Sequence, residues 1–276
     1  MKSSNVVEVK YLLEEMNVSE IKEIIKKCDI VLIPIGTVEQ HGNHLPVFTD
    51  NYIAVEVSKR AAEKISKEFP VVVAPLVPFG KSTESKNWAG TISLEPVTFI
   101  YLIKDICASL AKMGFKKLVF VNAHGGHVQL LGSLTSDIAR ETNTFVAVFD
   151  WWQTDIQEGL KTRVRESGEA GIFHACEAET SQMMALRPDL VNKERIAESY
   201  PCKFTKSSGY KHLLIEKPHH LFSFSWSFEE MSQTGAVGDP TKASRDKGEL
   251  IFEILSDALC SVLREIKDKV ISSLSV

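Results

Sequence analysis

The sequence predicts an α/β fold: a mostly parallel sheet covered by helices on both sides, a three-layer α/β/α sandwich. Three observations predict it. Short apolar runs alternate with segments of helical period, and the order strand, loop, helix repeats four times. The runs are apolar on both faces, as strands between two helical layers must be. Each polar cluster falls just past the end of such a run, where ligands sit in parallel sheets.

The elements follow in order. At the start, Ser19 can cap a short helix whose apolar face is Ile21, Ile24, Ile25 and Cys28. Residues 30–35 form the first buried strand and a polar loop follows. Residues 51–69 repeat Tyr52, Ile53, Val57, Ala61, Ala62 and Ile65 at helical spacing. Residues 71–77 (VVVAPLV) read as a second strand, ended by Pro78-Phe79-Gly80. A helix over 96–113 stops at Gly114, a favourable residue just past a helix end. Residues 117–122 are a third strand, 128–142 a helix and 144–150 a fourth strand. Residues 193–229 are irregular and aromatic-rich, with Tyr200, Tyr210, Phe222, Phe224, Trp226 and Phe228. A long amphipathic helix over 242–267 packs Ile251, Phe252, Ile254, Leu255, Leu259 and Leu263 on the sheet.

Composition narrows the function classes. The chain has 276 residues, 44% hydrophobic and 25% charged, with a net charge of −4. One domain over residues 1–276 is expected, since no linker or repeat divides it. Without a basic stripe, phosphate neutralisation does not favour nucleic-acid binding. No apolar run spans a membrane, and the first residues lack the apolar stretch of a secretory signal. Five scattered cysteines without a CxxC read as reduced thiols, so a cytoplasmic location is expected.

Chemistry concentrates in three segments. The first, residues 31–50 (VLIPIGTVEQHGNHLPVFTD), carries Glu39, His41, His44 and Asp50 within fifteen residues of a strand end. The second is Asn122-Ala-His124-Gly-Gly-His127. The third is His174-Ala-Cys-Glu177-Ala-Glu179-Thr-Ser, leading into a helix that ends before Pro188. Carboxylates and imidazoles without thiolates suit zinc, manganese or iron. Glu39 and His41, two apart in extended chain, point to one side and can reach two neighbouring metals, and Asp50 has two oxygens to bridge them. Two such ions lower the pKa of a water and polarise a carbonyl, which is hydrolytic machinery. Glu177 and Glu179 near a helix start also suit the helix dipole with no metal. No GxSxG elbow, phosphate-binding loop or GxGxxG is present. Cys176, two residues from His174, lacks the facing geometry of a nucleophile pair.

With these segments in place, the chain resembles the creatininase family. Residues 32–50 are similar to its signature, NAHGGH to its second motif and HACEAETSQMMALRPDLV to its third. Residues 78–96 and 235–249 are similar to further family segments. The resemblance runs from about residue 8 to residue 267. It implies a two-metal site and hydrolysis of a C–N amide-type bond of a small molecule by a metal-bridging hydroxide. It also implies a homo-oligomer, often a hexamer. Carried over, Glu39, His41, Asp50 and His124 match metal ligands and His174 a proton-handling histidine. Creatininase proper carries a tyrosine and a metal-binding glutamate where this chain has Gly125 and Gly126. The fifth ligand therefore comes from elsewhere, with Glu177 expected, as ligand and as proton donor to the leaving nitrogen, and Glu179 next. Some relatives have a histidine near position 85, where this chain has Ser85. Ser82 and Trp88 are the candidate substrate contacts. The family also includes a formamide deformylase of flavin and deazaflavin biosynthesis and a peptidase acting on a cofactor peptide. A metal-binding oligomer without catalysis is the reading from another class.

Overall fold

The computed structural model describes residues 10–151, 154–168, 171–197 and 227–269. Its sheet has the order β2-β1-β3-β4, with every neighbouring pair parallel. The strands are β1 (Ile30–Ile35), β2 (Val72–Val73), β3 (Lys117–Asn122) and β4 (Phe145–Asp150). In register, Val31 lies opposite Val72 on one side and Leu118 on the other. All six residues of β1 and of β3 are buried, as their two-faced apolar pattern requires.

The second strand is shorter than the expected 71–77. Pro75 has no N–H to give the ladder, so regular pairing stops after Val73. The chain rejoins β1 one step later, where Val77 N–H donates to Pro34 O at 2.9 Å and Gly36 N–H donates to Val77 O at 3.2 Å.

Helix α1 (Val18–Ile24) is capped by Asn17, not Ser19. The Asn17 side chain accepts from Ser19 and Glu20 N–H, and Glu20 reaches back to the Asn17 N–H. Helix α2 (Thr49–Ile65) begins two residues earlier than expected, so Asp50 sits in its first turn rather than in the loop. Helices α3 (Pro96–Met113) and α4 (Val128–Thr142) follow β2 and β3. Because the chain moves to opposite sides of β1 when it makes β2 and β3, right-handed crossovers put α2 on one face and α3 and α4 on the other. Helices α5 (Thr154–Arg163) and α6 (Glu177–Leu186) follow β4, and the short α7 is Phe228–Met231. Helix α8 (Arg245–Lys267) packs against α2, α5 and α6. It starts later than 242, because Ser244 caps it and Pro240–Lys242 forms a separate 3₁₀ turn.

One contiguous core joins both layers to the sheet: Phe99, Ile103 and Leu131 from one side, Ile53, Phe252 and Leu259 from the other. Fully burying each such side chain contributes about 1.5–3 kcal/mol. The aromatic tract expected over 193–229 falls mostly on residues 198–226, which lie outside the described residues, as does Cys202. The other four cysteines are buried and unpaired. Among the described residues no helix is long and apolar enough to cross a membrane.

Candidate metal centre

The centre lies beyond the carboxyl ends of β1 and β3, which are neighbours although an intervening strand separates them in sequence. Past β1 the chain runs extended, and Val38 bridges Ile92. Glu39 and His41 leave this segment. His41 Nδ1 is 3.0 Å from Glu39 O. That contact requires a proton on Nδ1 and leaves Nε2 as the ring atom turned toward the centre. Asp50 enters from the first turn of α2 and His124 from the residue pair after β3. There Asn122 braces the turn: its amide donates to His124 O at 2.8 Å and to Asp150 Oδ2 at 2.9 Å. Glu179 arrives from the first turn of α6.

The five side chains are buried and their donor atoms converge. His124 Nδ1 lies 3.0 Å from Glu39 Oε2 and 3.1 Å from Asp50 Oδ2. His41 Nε2 lies 3.1 Å from Asp50 Oδ1 and 4.0 Å from Glu179 Oε1. Yet Glu39 Oε2, Asp50 Oδ2 and His41 Nε2 have no aligned hydrogen bond. Lone pairs aimed at a shared point rather than at one another are what a cation needs. Metal–ligand bonds of about 2.1 Å give polyhedron edges of about 3.0–3.4 Å, close to these spacings. Three trios could each hold an ion, Glu39–His41–His174, Glu39–Asp50–His124 and His41–Asp50–Glu179, and the last two share Asp50. The orphaned buried atoms and the all-oxygen-and-nitrogen donor set fit divalent cations.

The electrostatics of the metal-free centre follow from burial and charge. Burial opposes every charge here. Against it, Asp50 and Glu179 raise His41 to about 10, and Glu39 and Asp50 hold His124 well above the usual imidazole range. The same imidazoles lower Glu39 and Asp50 despite their burial. Burial, with Asp50 beside it, raises Glu179 to about 7. Burial and the nearby His41 lower His174 to about 4.

His174 belongs to the trio with Glu39 and His41, its ring centroid 4.3 Å from those of His41 and of Phe228. Its Nε2 is 2.7 Å from Gln40 O, a separation that places the proton on Nε2. The Gln40 amide also comes within 3.1 Å of that nitrogen, but it donates to Gly235 O and accepts from Gly42 N–H. Backbone bonds between His174 and Val237 fix the segment, and Ala175 adopts a left-handed φ of 49° before α6 begins.

Other expected site residues stand elsewhere. Glu177 is corrected as the fifth ligand and as proton donor: it faces away, accepting from Lys247 Nζ and from the Glu166 and Ser167 N–H groups. Glu179 is the α6 carboxylate that reaches the cluster. Ser82 is fully buried and donates to Glu39 Oε1 at 2.8 Å, so its hydroxyl is engaged within the protein. Trp88 packs with Phe173 on a small apolar cluster of Phe228, Met231 and Val237. His44 sits 2.8 Å from Thr180 Oγ1, outside the trios. His127 Nε2 accepts from Lys81 N–H, so its Nδ1 carries the proton toward Asn122 Oδ1, and its ring stacks on Phe99. Cys176 is buried, and burial together with Glu179 pushes its thiol far up, which disfavours a thiolate nucleophile. Gln40, Ser85 and Phe228 went unpicked as site residues. Gln40 sits between two predicted ligands, which is a usable signal. Nothing in the aromatic tract distinguished Phe228.

Comparison with known proteins adds the following. The family model for creatininase, described as creatinine amidohydrolase, matches residues 14–263. The chain is 27% identical to a creatinine amidohydrolase of Pseudomonas putida over 249 residues, 86% of this chain and 89% of that one. It is 26% identical to a 3-dehydro-scyllo-inosose hydrolase of Thermotoga maritima, over 93% of this chain and 83% of that one. It is 28% identical to a mycofactocin precursor peptide peptidase of Mycobacterium ulcerans, over 92% of each. A manganese form of creatininase superposes with a TM-score of 0.78 at 25% identity, covering 94% of this chain and all of the other.

Proposed function

The chain belongs to the creatininase family, and from that premise we propose that it is a divalent-metal amidohydrolase acting on a C–N bond of a small molecule. The observation that carries the reading is the pair of buried trios sharing Asp50, with donor atoms that lack hydrogen bonds. Glu39, Asp50 and His124 would hold one ion, and His41, Asp50 and Glu179 the other. When bound, the cations supply a water of lowered pKa and an electrophile for the carbonyl oxygen. The protein's own groups do the rest. The Nδ1–H of His41, held by Glu39 O, keeps Nε2 facing the centre. His174 is neutral at pH 7 because burial and His41 lower it to about 4. With Nε2–H donated to Gln40 O, its Nδ1 is the atom that takes a proton and passes it to the leaving nitrogen. Phe228 against the ring excludes water from that exchange.

The test measures metal per chain and turnover on formamides, cyclic ureas and short peptides, peptides being included because a peptidase is among the relatives. About two ions per chain and metal-dependent turnover are expected, with His41→Ala and Asp50→Ala removing both. Full turnover in chelated protein overturns the mechanism. Bound metal with no turnover on any class favours a non-catalytic metal-binding oligomer.

A further inference from the structure

Glu39 is asymmetric. Its Oε1 accepts from Ser82 Oγ at 2.8 Å and from Ser85 Oγ at 2.7 Å, while its Oε2 has no hydrogen bond and lies 3.0 Å from His124 Nδ1. Both serines are fully buried, and their hydroxyls lie 2.6 Å apart. The three oxygens form a triangle holding two hydroxyl protons, so one carboxylate oxygen is saturated and the other is left bare. The backbone under the triangle is fixed on two sides. Lys81 N–H donates to His127 Nε2 at 3.1 Å and Ser82 N–H to Ser93 Oγ at 2.9 Å. The 3₁₀ turn Thr83–Ser85 then brings the second hydroxyl back to the same carboxylate.

We propose that Ser82 and Ser85 are positioning residues, a hydroxyl clamp that makes Glu39 a one-oxygen ligand. A free carboxylate can turn and bind a cation through both oxygens. Here the second oxygen is held by two buried donors, so rotation breaks both bonds. The clamp therefore leaves one coordination position of the Glu39–Asp50–His124 site open for water or substrate. Ser82 acts through Glu39 and does not touch substrate. The inference rests on the metal reading above.

The experiment loads the full chain with Co²⁺ alone, whose visible d–d bands weaken as coordination number rises. Wild type is compared with Ser82→Ala/Ser85→Ala, with Ser85→Ala alone and with Glu39→Gln. The double variant should bind Co²⁺ about 10–100-fold more weakly at the Glu39-dependent site, with weakened bands as Glu39 becomes a two-oxygen ligand. Metal-free thermal unfolding checks that it is folded. If it is not, the single Ser85→Ala variant decides on the same spectrum. Spectrum and affinity identical to wild type in a folded serine variant overturn the clamp. No difference between wild type and Glu39→Gln overturns the metal reading beneath it, which keeps the two failures distinct.

Discussion

Glu177 and Glu179 lie two residues apart on one helix, so at 3.6 residues per turn they point about 200° apart and cannot both face the centre. Local sequence does not say which one does: both suit a helix N-terminus, and both follow His174 closely. The choice is made by Lys247, seventy residues further on, which takes Glu177 from α8 together with the Glu166 and Ser167 N–H groups. Pairwise partners at that sequence distance are invisible in a single sequence. Glu39, His41, Asp50 and His124 were legible because each lies within a few residues of a strand end or helix start that the apolar pattern marks. The consequence is a clean separation. Glu179→Gln should lower metal content toward one ion per chain with little change in metal-free stability. Glu177→Gln should keep the metal and lower stability by about 1–3 kcal/mol, because a charge-assisted buried contact is lost while Lys247 keeps Glu166. Metal analysis and urea unfolding on both variants check this, and the reversed pattern would restore Glu177 as the ligand.

At the scale of elements, the strands and helices that follow from apolar period alone were legible almost to the residue, as in β1, β3, α3 and α4. The departures have local causes: Pro75 just past β2, and caps chosen by side-chain geometry at Asn17 and Ser244. The turn after β3 explains the moved carboxylate. A Cβ on Gly126 would lie 2.5 Å from His124 Nε2, and one on Gly80 would lie 2.0 Å from His127 Nε2. Both glycines thus pack directly against an imidazole, and a glutamate at 126 does not fit without displacing His124. The carboxylate that stands in the cluster instead is Glu179 on α6. Gly126→Ala should therefore weaken the Glu39–Asp50–His124 site at least tenfold while sparing the other. Calorimetric titration with Zn²⁺ reads both sites separately, and two unchanged affinities would show that the turn yields without cost.

For the whole molecule, the order β2-β1-β3-β4 makes the boundary between β1 and β3 the place where the chain reverses direction across the sheet, the point at which ligands sit in sheets of this kind. The candidate ligands from the β1 loop, α2, the β3 turn and α6 meet there, so protonation at the centre, and any metal bound to it, would act on the stability of the fold. Without metal, the histidines and Glu179 set the pH dependence. His41 at about 10 and His124 well raised keep protons in the folded chain that the unfolded chain releases near 6.5, so their contribution is present below 6.5 and lost as pH rises toward 10. His44 and His174, both lowered to about 4, and the lowered His127 stay neutral when folded, so stability is lost as pH falls from 6.5 toward 4. Glu179, raised to about 7, offsets one of those three protons on the acid side. Metal-free protein should then be most stable near pH 6–7 and weaken on both sides. Cations need the unprotonated imidazoles, so saturating Zn²⁺ or Mn²⁺ should remove the alkaline loss and move the optimum upward. At a hundredfold excess over Kd, one site adds about 2.7 kcal/mol. Thermal unfolding from pH 5 to pH 9.5, chelated and loaded, measures both curves. Two curves of the same shape would mean that the His41 and His124 protons are not the ones the metals displace.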